Sequence, residues 1–342
     1  MAHRCRPRGA VLDVQRIGGQ NSGEGRVHRS GDCRMIKNYG FVGLGELGGK
    51  LASNLAKSGF PVRVHDLDLS RAAVPIENGA VWAESPAEAA EGADGLISCL
   101  PSPATSNAVM TGKNGALEAM KPGSAWLEMS TTEMAQIKRL AALAAARNVE
   151  TLECPVTGGV HKADLGEITV FVGGKAKVLA AHRPALSAMC GPLFHLGGLG
   201  TASVLKVITN MLTFVDLVAA GEVLSLAAKV GLDLKQCYSA IRASSGNSVE
   251  FETYVPRVLE GSYDSGFTMA LTLKDIGFVT ALGRDLGVPL KLSTLVEQHF
   301  VEAKARYGAG AWAPEVVRMM EETIGTALRA EIDPEDEPAA PP

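Results

Sequence analysis

Cysteine is sparse in this chain and never paired. Its six copies, Cys5, Cys33, Cys99, Cys154, Cys190 and Cys237, are scattered through 342 residues with no CxxC spacing. That pattern fits a reduced, cytoplasmic chain better than a disulfide framework. The seven histidines show no HExxH or other ligand spacing, so no metal is expected. No uninterrupted apolar run reaches the length of a bilayer-spanning helix. The formal net charge is only -4. Neither nucleic acid nor a membrane is expected as a partner. A solid apolar core for a secretory signal is also missing.

What is present fits an ordinary globular chain. Apolar residues make up 46% and charged residues 20%, and 342 residues suffice for two domains. Residues 1–34 read differently, with seven Arg, no Lys, three acids and little apolar periodicity. They are an extension from an upstream start with Met35 opening the domain, a disordered basic arm, or an Arg-rich transit peptide. Asp13, Glu24 and Asp32 argue against the last.

Order begins at Met35. A strand at Tyr39–Val42 meets Gly43-Leu44-Gly45-Glu46-Leu47-Gly48, and a helix from about Glu46 to Ser58 leads to a second strand ending in Asp66. This is a βαβ unit with the dinucleotide fingerprint GxGxxG in its proper context. Gly43 makes the tight turn, Gly45 lets the backbone approach a pyrophosphate, and Gly48 lets helix and strand pack closely. The free N–H groups of the helix start suit phosphate. Asp66 is placed either to bind ribose hydroxyls, which favours NAD over NADP, or as a solvated turn residue. Arg63 and Arg71 lie nearby and soften that preference.

The alternation continues. Pro86 stands in the first turn of a short helix. A buried strand runs from Gly95 to Leu100 and opens into a Pro-rich loop, Pro101-Ser-Pro103, over the crevice where a cofactor would lie. Another strand ends at Ser130-Thr131-Thr132, where Thr132 is positioned to cap the next helix. Then comes Cys154-Pro-Val-Thr157-Gly158-Gly159-Val-His161-Lys162. Its paired glycines form either an anion-binding nest or an ordinary tight turn. Lys162 reaches a second anionic group or is simply a solvated loop lysine.

After Gly198 strand signals largely vanish. A helix spans about Thr201 to Val230, about 45 Å long, with Val204, Leu205, Val207, Ile208, Met211 and Leu212 set to bury it. Lys206 and Asn210 share one face of it. A lysine in such company either snorkels to solvent or has chemical work. Further helices are expected near 234–244, 250–260, 269–286, 293–307 and 314–326, and the tail from 330 reads as disordered and acidic. The fold expected is α/β: a Rossmann-type doubly wound sheet over 35–197, then an all-α domain over 198–329. The long apolar helix suggests a homodimer or homotetramer.

Four motifs in order resemble those of the β-hydroxyacid dehydrogenases, the family of 3-hydroxyisobutyrate dehydrogenase and of tartronate and succinic semialdehyde reductases. They are Gly43–Gly48, Cys154–Gly159, Gly198–Asn210, and Phe267 with Leu273-Lys274-Asp275, and the likeness covers about residues 36–326. The resemblance implies an NAD(P)-dependent enzyme acting on a small β-hydroxy acid or its semialdehyde. It implies Lys206 as acid/base catalyst, Asn210 as a group orienting the substrate, and Thr157, Gly158 and Gly159 as carboxylate binders. By the same resemblance Thr131, with Leu100 and Pro101, lies by the cofactor, and Phe267, Lys274 and Asp275 close over the reacting centre. The chain departs from the pattern at Thr157 (usually Ser), Thr209 (usually Asn), Leu47 (usually Met), and at His161 and Lys162, where small residues are common. Those departures weaken the case for 3-hydroxyisobutyrate itself. A reductase for glyoxylate, tartronate semialdehyde or succinic semialdehyde is the alternative, and a non-catalytic cofactor-binding scaffold is a more distant one. The phosphogluconate branch is disfavoured because its helical domain is much larger.

Overall fold

The structure, a computed structural model, describes residues 38–332. The expectations for residues 1–34 and for the tail beyond 332 lie outside the described residues. Ala330 and Ile332, at the start of that tail, are packed: Ala330 N–H donates to Leu259 O at 3.2 Å, and Ile332 lies against the helical core.

Nine strands build one sheet among the described residues: β1 Tyr39–Val42, β2 Val62–His65, β3 Val81–Trp82, β4 Gly95–Ser98, β5 Ala125–Glu128, β6 Glu150–Glu153, β7 Val156–Thr157, β8 Thr169–Gly174 and β9 Leu193–His195. Their order is β3-β2-β1-β4-β5-β6-β8-β7, with β9 beside β8. The first six run parallel, and β8 turns back antiparallel to β6 and β7. β1, β4 and β5 are buried at every residue, as helices on both faces require. Alternation along each strand feeds two cores. Phe41, Ile97 and Leu127 enter one, while Val42, Leu96 and Trp126 enter the other. The order of strand addition reverses at β1 and β4, which run parallel, so the carboxyl ends of those strands open a crevice suited to a ligand.

The C-terminal part is helical. Its axis is the 29-residue helix Thr201–Lys229, flanked by Leu234–Arg242, Val249–Glu260, Met269–Asp285 and Lys291–Tyr307, with a 3₁₀ turn Ala313–Val317 running into Arg318–Ile324. The axis is long and apolar enough to cross a bilayer by length and composition alone, and it is the core helix of this part of the fold. Phe214, Leu217 and Leu224 from it form the centre of the helical core. The expected burial of its first turns is only partly met. Val207 and Met211 are buried, but Ile208 is 44% and Leu212 61% exposed.

One buried carboxylate fixes where this axis starts. Glu153, at the end of β6, is fully buried. It accepts hydrogen bonds from the N–H groups of Gly200 (2.6 Å), Ala202 (2.9 Å) and Ser203 (3.2 Å), and from Ser203 Oγ (2.5 Å). A helix start leaves N–H groups unpaired and carries a positive dipole end, so an acid there is well paired. It joins the sheet to the helix that carries Lys206.

Candidate active site

The glycine turn divides by function. A side chain on Gly43, whose φ is +96, would strike Cys99 O, and one on Gly48 would lie 2.0 Å from Gly43 O. Those two glycines are needed for packing. A Cβ on Gly45 would meet only Arg71 Nη1, at 3.4 Å, so the loop is open at that point to a group the size of a phosphate. The helix begins at Gly48 and runs to Lys57, two residues later than the sequence suggested, which leaves Glu46 and Leu47 in the turn. Asp66 is half-buried and pinned to this loop: its carboxylate accepts from Leu44 N at 2.6 Å and from Asp68 N at 3.0 Å. Arg71 approaches the loop, whereas Arg63 donates to the carbonyls of Glu88 and Glu91 and is engaged there instead. A dinucleotide's phosphates fit this cradle of open glycine and guanidinium.

The opposite wall of the crevice comes from the ends of β4 and β5. Leu100 lies over the glycine turn, its Cδ2 2.8 Å from where a Gly43 side chain would sit, and its N–H donates to Ser130 Oγ at 2.8 Å. The expected Pro-rich loop is short. Pro101 is exposed, and Ser102 already caps a helix Pro103–Thr111. Thr132 does not cap the following helix: that helix starts at Met134 with Glu133 at its cap position, and Thr132 Oγ1 is buried with no hydrogen-bond partner among the described residues.

Lys206 lies buried, 8% exposed. Burial pulls its ammonium down from an ordinary value of 10.5 to about 8; the nearby Lys274 pulls the same way, while Asp275 and Glu250 oppose. Asn210, one turn on, donates Nδ2–H to Asp275 Oδ2 at 2.7 Å. Lys274 Nζ lies 2.9 Å from Asp275 Oδ1 and donates to Thr131 O at 3.2 Å. The Asp275 Oδ1 contact is one of charge, without hydrogen-bond alignment. Thr131, Lys206, Asn210, Lys274 and Asp275, drawn from three distant stretches, thus form one cluster at the junction of sheet and helices. Phe267 stacks on Phe214 of the long helix, with ring centres 6.1 Å apart.

Thr157 and the glycines after it sit at the end of β7. Gly158 (φ +123) and Gly159 (φ +86) adopt backbone conformations that other residues avoid. The turn leads directly into a helix, Gly159–Leu165, where the sequence suggested only a turn or nest. Lys162 is half-buried on that helix and folds back, its Cδ 3.1 Å from where a Gly158 side chain would be. Burial, Lys162 and Arg257 together lower the pKa of His161. Val160 lies 3.5 Å from where a Gly266 side chain would be, which brings this motif beside Phe267.

Three groups escaped the sequence reading. Glu153 was visible only as an acid two residues before Pro155. Glu128, 1% exposed at the end of β5, accepts from Ser130 N at 2.9 Å and so anchors the Ser130–Leu100 contact; burial raises its carboxyl above the ordinary value. Glu250 accepts from Thr213 Oγ1 at 2.9 Å and faces the lysine's side of the long helix.

Comparison with known proteins finds similarity along nearly all of the described residues. Residues 38–197 match the family model for the NAD-binding domain of 6-phosphogluconate dehydrogenase. Residues 200–320 match that for the NAD-binding region of NADP-dependent 3-hydroxyisobutyrate dehydrogenase. A probable mitochondrial 3-hydroxyisobutyrate dehydrogenase of Dictyostelium discoideum is 34% identical over 269 residues, covering 77% of this chain and 84% of that one. An L-threonate dehydrogenase of Cupriavidus necator is 31% identical, covering 83% and 96%. The crystal structure of a 3-hydroxyisobutyrate dehydrogenase from Salmonella typhimurium superposes with a TM-score of 0.78 at 29% identity, covering 83% and 99%. The chain belongs to the β-hydroxyacid dehydrogenase family and is an NAD(P)-dependent oxidoreductase acting on a small hydroxy acid or its carbonyl counterpart.

Proposed function

We propose that Lys206 is the acid/base group of this dehydrogenase. The observation that carries the proposal is a buried lysine with its pKa lowered to about 8, set in a cluster with Asn210, Asp275, Lys274 and Thr131. An amine titrating there can both take and give a proton near neutral pH, which general acid–base catalysis requires. In oxidation neutral Lys206 removes the hydroxyl proton; in reduction its ammonium returns a proton to the carbonyl oxygen. Asn210 orients the substrate and is itself held by Asp275. Thr157, Gly158 and Gly159 receive the substrate carboxylate, with Lys162 beside them for a second polar or anionic group. Phe267, Lys274 and Asp275 close the site.

The cofactor, when bound, exchanges a hydride with the substrate carbon. Residues Gly43–Gly48 would hold its phosphates, Asp66 its ribose, and Leu100, Pro101 and Thr131 its nicotinamide end. NAD is favoured over NADP because the Asp66 carboxylate repels a 2′-phosphate, an effect that Arg71 partly offsets. The exposed Ile208 and Leu212 support a homodimer or homotetramer formed through the long helix, to be checked by light scattering. Four cysteines free of disulfides, Cys99, Cys154, Cys190 and Cys237, support a reduced, cytoplasmic compartment.

The test is a panel of 3-hydroxyisobutyrate, L-threonate, L-serine, glyoxylate, tartronate semialdehyde and succinic semialdehyde, each with both cofactors in the matching redox state. Turnover of at least one hydroxy acid–carbonyl pair with NAD(H) is expected. A chain that binds cofactor and turns over none of them contradicts the reading and favours a cofactor-binding scaffold.

A further inference from the structure

A buried acid/base group has to exchange its proton with solvent in every turnover, and Lys206 is only 8% exposed. Three charged side chains act on it: Asp275, Lys274 and Glu250. Asp275 is unsuited to carry a proton outward. It is 1% exposed, and its two oxygens face Asn210 Nδ2 at 2.7 Å and Lys274 Nζ at 2.9 Å. Lys274 is engaged by Thr131 O and Asp275. Glu250 is different. It opens the helix Val249–Glu260, is half-buried rather than enclosed, and has one oxygen set by Thr213 Oγ1 at 2.9 Å. Lys206, Asn210 and Thr213 are spaced i, i+4 and i+7, so they share one face of the long helix.

We propose that Glu250, positioned by Thr213, relays the proton between Lys206 and solvent. This rests on the reading of Lys206 as the acid/base group. During oxidation the substrate O–H bond breaks and an N–H bond forms on Lys206, while the hydride leaves carbon for the nicotinamide and the carbonyl forms. The Lys206 N–H bond then breaks and an O–H bond forms on the Glu250 carboxylate, with water carrying the proton across the face that Lys206 and Thr213 share. Finally the carboxyl gives that proton to water or a buffer base, which restores neutral lysine and carboxylate. The surroundings of Glu250 favour this role. Burial raises its carboxyl above the ordinary value and Asp216 adds to the rise, while the Thr213 bond and Lys206 lower it; Tyr254 faces it from its own helix. A raised carboxyl beside a lowered ammonium makes the uphill transfer shorter.

The test is Glu250→Gln, with Glu250→Asp and Thr213→Val as milder variants, on 3-hydroxyisobutyrate and L-threonate with NAD. Steady-state turnover is read at low and high buffer concentration, and the first turnover is followed by rapid mixing. Infrared difference spectra of the cofactor-free protein report the protonation of Glu250. Because Glu250 also raises the Lys206 value, the comparison is made well above pH 8, where Lys206 is neutral in both proteins. The expected result for Glu250→Gln is then a first turnover close to wild type and steady-state turnover about tenfold or more lower in dilute buffer, recovering as buffer rises. Glu250→Asp should lie between, and the wild-type infrared carboxyl signal should vanish in the Gln variant. Wild-type steady-state rates with no buffer dependence in all three variants overturn the relay. Full turnover in Lys206→Ala overturns the parent reading and the relay with it, so the two failures are distinguishable.

Discussion

Asn210 Nδ2 donates to Asp275 Oδ2 at 2.7 Å, joining two helices from positions 65 residues apart in the sequence. Asp275 is 1% exposed, so removing its donor leaves a buried carboxylate oxygen unpaired. Asn210→Ala should lose about 1–3 kcal/mol of stability, measured by urea unfolding, and should lower kcat/KM at the same time. Wild-type stability together with wild-type kcat/KM would show the bond to be incidental.

The pH dependence follows from the same cluster. Lys206 titrates near 8. Oxidation uses the neutral amine, so its rate should rise with pH and level off above about 8. Reduction uses the ammonium, so its rate should fall through the same range. The Asp275 carboxylate raises the Lys206 value, so Asp275→Asn should move both inflections to lower pH. Rate–pH profiles in both directions check this, and an inflection that stays in place in Asp275→Asn would remove Lys206 as its source.

The glycine turn offers a matched pair. Gly48→Ala would place a methyl 2.0 Å from Gly43 O, whereas Gly45→Ala meets only the Arg71 side chain at 3.4 Å. Gly48→Ala should lower the melting temperature. Gly45→Ala should melt close to wild type and bind NAD about tenfold or more weakly, because the methyl occupies the phosphate approach. Fluorescence titration with NADH, run beside thermal melts, separates the two outcomes.

Much of this fold was legible in the sequence for physical reasons. The β1 strand and its GxGxxG turn have few alternative readings, because Gly43 and Gly48 each answer a backbone contact. The long helix was legible from an apolar run closed by Gly231. Less legible were the short helices: Pro103–Thr111 opens on a proline and Gly159–Leu165 is framed by glycines, so both resemble loops. The helix Ala176–Met189 carries Pro184 in its interior, which masks its periodicity. Ile208 and Leu212 look buried in sequence because apolarity alone does not say which face meets the core. Glu153 and Glu250 act through partners 50 and 37 residues away, a distance that no local pattern encodes.

The proposed chemistry turns on proton transfer by Lys206. It is tested most directly by the turnover of Lys206→Ala with NADH binding measured in parallel. NADH affinity should be unchanged and kcat lower by about 10²–10⁴-fold. A variant that binds NADH normally and turns over within about twofold of wild type would contradict it, since loss of a positioned acid/base group costs far more than that.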